Sequence, residues 1–100
     1  MKPEAKLSKE VRRFLRLCGC TTYSTEQGFR PQRGGTRCSP GVPDLIVFRP
    51  SKGRMAFVEL KVGYNKLNRA QAQFQRVALM SGVECHVWRS VDDAKAWLDG

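Results

Sequence analysis

The chain has 100 residues, 41% of them apolar and 27% charged, which allows one domain with a modest core and excludes a disordered or membrane-embedded protein. Its net charge is +9, and residues 1–54 hold 12 basic and 4 acidic groups against 6 and 5 in residues 55–100. So lopsided a field favours a polyanion, and nucleic acid is the commonest one.

Pro3 to Cys18 opens the chain with apolar residues at Leu7, Val11, Phe14, Leu15 and Cys18, the spacing of one helical face, while Lys and Arg fill the other. Pro3 suits a first helical position and Glu4 a positive first turn; Ser8, a good N-cap, offers a competing start. Gly19 closes this helix, and "CTTYS" reads as a short strand. Residues 25–43 gather glycines, prolines, Arg30, Arg33 and Arg37 without periodicity, which predicts a long phosphate-contacting loop. "DLIVF" and "MAFVELKV" flank "RPSKGR", an antiparallel hairpin with a basic tip at Arg49, Lys52 and Arg54; its strands are apolar on both faces and belong inside the sheet.

After "GYNKLN" a helix is predicted over Arg69–Met80, ended by Ser81 and Gly82. "ECHVW" is a further strand, and "SVDDAKAWLD" a last helix with Ser90 and Asp93 at capping-box spacing. The order is α-β-β-β-α-β-α in a single domain, residues 1–100, a mixed α/β sandwich. Cys18, Cys20, Cys38 and Cys85 lack paired C-x-x-C knuckles and read as reduced thiols, two of them in or near the core. No apolar run approaches the roughly 20 residues that cross a bilayer, and the N-terminus lacks a signal-peptide core, so a cytoplasmic, unsecreted protein is expected.

Three charged groups interrupt the apolar hairpin. Alternation places Glu59 and Lys61 on one face of their strand, with Val58, Leu60 and Val62 on the other. Asp44 heads the neighbouring strand, so its carboxylate can approach that of Glu59. Two adjacent carboxylates repel unless a cation lies between them, and oxygen-only ligation suits Mg²⁺ or Mn²⁺, which keeps waters that include a candidate nucleophile. Lys61 could orient that water and stabilise developing negative charge on a phosphate. A structural salt bridge is the plain alternative, but buried ion pairs stabilise poorly. His86, the single histidine, reads as a surface residue on its strand.

"GVPDLIVF", "FVELKV" and "KLNRAQAQFQ" closely resemble the VRR-NUC branch of the PD-(D/E)XK nucleases, from the first helix to the last. The resemblance implies a restriction-endonuclease-like mixed sheet flanked by helices. Pro43 and Asp44 match its PD, and Glu59, Leu60 and Lys61 its E-x-K. By analogy to the family, the Leu60 carbonyl is a further oxygen ligand to the metal. A glutamine and a first-helix glutamate complete the family's site. Gln71 matches the glutamine, although Asn68 and Gln71 also have capping-box spacing. Glu4 and Glu10 both compete for the glutamate, and Glu4 is chosen because it lies nearer the apolar face and keeps the family's distance to Gly19.

Function follows as an expectation from the resemblance: a Mg²⁺- or Mn²⁺-dependent endonuclease, homodimeric and cutting branched DNA such as four-way junctions, in a bacterial or phage-infected cell, without an organic cofactor. Tyr64 and Lys66, after the E-x-K strand, join the Arg30, Arg33 and Arg37 loop as candidate DNA contacts. A nuclease fold that binds nucleic acid without cutting it, and a restriction-type sequence-specific nuclease, are the alternatives.

Overall fold

The computed structural model describes residues 2–25 and 40–100. Helix α1 (Pro3–Leu17) begins at the proline, whose fixed φ and missing N–H suit a first turn, and the Ser8 start is superseded. Its buried residues are Leu7, Val11 and Leu15. Each fully buried Val or Leu contributes about 1.5–3 kcal/mol. Cys18, expected on that stripe, is instead the exposed C-cap, because the helix stops one residue earlier and its backbone turns at Gly19, φ 84°. Cys20 and Cys85 are the two buried thiols among the described residues.

Strands β1 (Thr21–Ser24), β2 (Leu45–Arg49), β3 (Arg54–Leu60) and β4 (Cys85–Trp88) form one sheet in the order β1-β2-β3-β4. The first three are antiparallel neighbours and β4 runs parallel to β3. A parallel neighbour requires a crossover, which helix α2 (Arg69–Met80) supplies before helix α3 (Val91–Asp99) ends the chain. The element order and the interior position of the β2–β3 hairpin are as the sequence predicts.

Register sorts the side chains onto two faces. Leu45 pairs with Val58 and Val47 with Ala56, while Leu60 is opposite Trp88. These residues share a core with Leu7, Val11 and Leu15 of α1 and Ala94 and Trp97 of α3. The other face carries Phe57, whose ring meets Phe74 of α2 edge-on at 5.1 Å. Glu59 lies two residues further along β3 on that same face.

Arg54 and Arg49, expected at a free basic tip, are tied to α3. Arg54 donates twice to Glu84 at 2.7 Å and once to the Trp97 carbonyl at 2.8 Å, and Arg49 donates to the Leu98 carbonyl at 2.7 Å. Glu84 also accepts from the Trp97 indole at 3.1 Å, and the Arg54 bond above all holds its carboxyl well below the usual range, at about 2. Lys52 alone of the three remains exposed without such a bond. At α3 the expected Ser90 cap is not formed; Asp93 turns instead to the Arg89 backbone N–H, at 2.7 Å.

Candidate active site

Asp44 immediately precedes β2, one residue before the Leu45–Val58 pair, so antiparallel register sets it opposite Glu59. Its Oδ2 accepts the Leu60 N–H at 2.9 Å, which fixes the carboxylate at the end of the strand. Glu59 is the one buried charged side chain in the described core, 4% exposed. Burial first, then the neighbouring Asp44, pushes its pKa up to about 8, with Lys61 opposing and Glu4 adding to the rise.

Gln71 serves two masters through one amide. Its Oε1 accepts the Asn68 N–H and its own N–H donates to Asn68 Oδ1, both at 2.9 Å, forming a complete capping box at the start of α2. Because that box takes the oxygen, the Nε2 end faces Glu59 Oε2, to which it donates at 3.2 Å. Gln71 thus forms the capping box and, with the other end of the same side-chain amide, reaches Glu59. Lys61 Nζ stands 3.8 Å from the same Glu59 oxygen.

The first turn of α1 brings Glu4, not Glu10, to this place. One oxygen from each of Glu4, Asp44 and Glu59 lies within 4.8 Å of the others. Glu59 Oε1 is buried without a hydrogen-bond partner. An orphaned buried oxygen among three converging carboxylates is costly as it stands, and the all-oxygen donor set fits a hard divalent cation. Leu60 buries its side chain in the opposite core.

Around the carboxylates, Gly41 and Arg89 have positioning roles that the sequence pattern did not single out. Gly41 has φ 90°, and a Cβ there would stand 2.3 Å from the Ala70 carbonyl oxygen, so the segment leading to Asp44 lies directly against the first turn of α2. Its place in "GVPD", beside the motif, is the available signal. Thr25 pins the same segment by a backbone bond to the Asp44 carbonyl at 2.9 Å and a hydroxyl bond to the Pro43 carbonyl. Arg89 donates to the carbonyls of Gly63 and Asn65 at 2.9 and 2.8 Å, clamping the turn that follows Lys61. No spacing rule announces that contact.

Tyr64, at the crest of the clamped turn, is fully exposed, and Lys66 is exposed beside it. Arg30, Arg33 and Arg37 lie outside the described residues. His86 is held by Glu84 at 3.0 Å, and alternation along β4 puts it on the face opposite Glu59. No described helix is long and apolar enough to cross a membrane.

The profile of the VRR-NUC domain matches residues 32–92, which span Asp44, Glu59, Lys61 and Gln71. A solved structure described as a VRR_NUC domain superposes with a TM-score of 0.77 over 99% of this chain and 97% of its own, at 20% sequence identity. A search of curated proteins gave no match. With the profile covering more than half of the sequence and the fold shared from end to end, the chain belongs to the VRR-NUC family, a PD-(D/E)XK-type nuclease family.

Proposed function

We propose that this protein is a Mg²⁺- or Mn²⁺-dependent endonuclease that hydrolyses phosphodiester bonds of DNA. The observation that carries the reading is the meeting of Glu4, Asp44 and Glu59 within 4.8 Å, around a buried oxygen without a partner and beside the Lys61 ammonium. Asp44, Glu59 and Glu4 would hold the cation, with the Leu60 carbonyl as a further oxygen. A divalent cation bound there supplies charge against the phosphate and makes water more acidic.

The protein's own groups divide the remaining work. In hydrolysis water adds to phosphorus and one ester P–O bond breaks, with negative charge building on the phosphoryl oxygens. Lys61, half-buried at the rim, donates hydrogen bonds to the incoming water and to those oxygens. Gln71 keeps Glu59 oriented through its amide N–H.

The substrate we favour is branched DNA such as a four-way junction, which the family resemblance implies, and fully exposed Tyr64 on a turn whose backbone is held by Arg89 offers a ring on which a base at a branch point can stack. A homodimer suits two symmetric strands, and exposed Val77, Leu79 and Met80 on α2 supply apolar surface for pairing.

Incubation with a four-way junction and with linear duplex, in Mg²⁺, Mn²⁺ or EDTA, tests the reading. Junction cutting is expected with either metal and none in EDTA, and Lys61→Ala should lose about 10²-fold or more. Undiminished cutting by that variant, or cutting in EDTA, refutes the mechanism. Retention of DNA without products under any metal points to the non-cutting alternative. A monomer mass by light scattering at micromolar concentration removes the dimer.

A further inference from the structure

We propose that one flank of α1 is a track for the DNA backbone, on which Lys9, Arg12, Arg13 and Arg16 contact successive phosphates on one side of the scissile bond. The inference rests on the nuclease reading above and assigns the path of its substrate.

Glu4, Ser8, Arg12 and Arg16 recur every four residues and so form one row along the helix, which starts at the carboxylate cluster. Lys9 and Arg13 form the adjoining row, and the two rows line a shallow groove with Ala5. Between Glu4 and Arg16 the helix rises about 18 Å, the axial length of about five nucleotides of a duplex strand. The track is thus continuous with the site and long enough to fix a direction.

The four cations are without a salt-bridge partner among the described residues. Glu4 belongs to the carboxylate cluster, and Glu10 projects about 160° away from Arg12 and, though three residues from Arg13, forms no salt bridge with it. Lys9–Arg13 and Arg12–Arg16 at i,i+4, with Lys9–Arg12 and Arg13–Arg16 at i,i+3, are like-charge neighbours that disfavour an isolated helix. A merely solvated face would do better with alternating signs. Arg12 is also held in place: its Nε donates to Thr22 Oγ1 at 3.2 Å, setting the guanidinium where α1 meets edge strand β1. A row of cations with one anchored member and no anionic partner is complementary to a phosphate backbone.

Fluorescence anisotropy of a labelled four-way junction, in EDTA and across a range of salt, reads this directly. In a Lys61→Ala background, Arg13→Gln/Arg16→Gln should flatten the slope of log K against log[salt] by about 1.8, two contacts at about 0.9 each. Arg76→Gln/Lys95→Gln removes the same charge from exposed positions on α2 and α3 and should leave the slope unchanged. Neutral methylphosphonates within about five nucleotides on one side of the cut should weaken the parent but not the α1 double variant. Equal flattening by both doubles, or no flattening by the α1 double, overturns the track. Cutting by the native chain is scored separately in Mn²⁺: a protein that cuts with an unflattened slope loses only the track, and one that shows the flattening but never cuts loses only the nuclease reading.

Discussion

Glu59 is the residue on which stability and chemistry pull in opposite directions. Its carboxyl titrates at about 8 in the folded protein against 4.5 when free, so the folded state holds the extra proton between those values. Stability of the cation-free protein is therefore fullest below about 4.5 and is lost as pH rises through about 8. Glu84 acts on the acid side with the opposite sign, contributing above 4.5 and losing its contribution as pH falls toward 2. Thermal melts in EDTA should show Tm falling from pH 5 to pH 9, a slope that Glu59→Gln flattens and that Mn²⁺ reverses only when Glu59 is present. Each kcal/mol of relief corresponds to about 4–8 °C in a domain of this size. A slope unchanged by Glu59→Gln would place its cause elsewhere.

Gln71 allows its two bonds to be separated. Glu at this position still accepts the Asn68 N–H, because a capping box takes either residue, but has no N–H to offer Glu59. Gln71→Glu should thus keep the cap while losing at least about tenfold in cutting rate, and the carboxylate it adds beside Glu59 should lower Tm in EDTA more at pH 9 than at pH 5. Gln71→Leu loses the cap as well, at about 1 kcal/mol. Equal melting of the two variants at pH 5 would mean that the box contributes little.

Among the elements, α2 is met at its first turn by the segment that leads to Asp44. Gly41→Ala forces a side chain into φ 90° and against the Ala70 carbonyl, moving the segment that carries Asp44 away from the turn that carries Gln71. The expected loss is about 2 kcal/mol or more, with cation affinity falling alongside; calorimetric titration with Mn²⁺ checks the second part. Local rules suffice to read α2 from Arg69 to Met80, since its cap and its stop are written within a few residues of each end. They also suffice for β2, β3 and the alternation that pairs Glu59 with Lys61. They fail where the partner is distant in sequence. Ser90 loses its capping role because Asp93 reaches Arg89, and Arg49 and Arg54 leave the basic tip because α3 presents carbonyls to both and Glu84, just before β4, pairs with Arg54. Glu4 is preferred to Glu10 already by its place nearer the apolar face, and α1 laid against the sheet carries it to Asp44 and Glu59. The clamp of Arg89 on residues 63–65 has no local signature at all.

At the scale of the whole molecule, the sheet divides two tasks between its faces: a sealed core beneath α1 and α3, and Asp44, Glu59 and α2 on the other side, with Glu4 reaching them from the first turn of α1. Both tryptophans lie on the sealed side, Trp88 at 3% and Trp97 at 5% exposure, with ring centres 5.9 Å apart. Arg54 Cζ sits 4.4 Å over the Trp97 ring. Indole emission in this protein is consequently a gauge of whether the core is closed and not of what the carboxylates hold. Titration with Mn²⁺ or DNA should leave the emission maximum in place, whereas unfolding should shift it to the red. An optical assay of occupancy will need a dye placed on the other side of the sheet, and the turn bearing Tyr64 is the natural place to attach one.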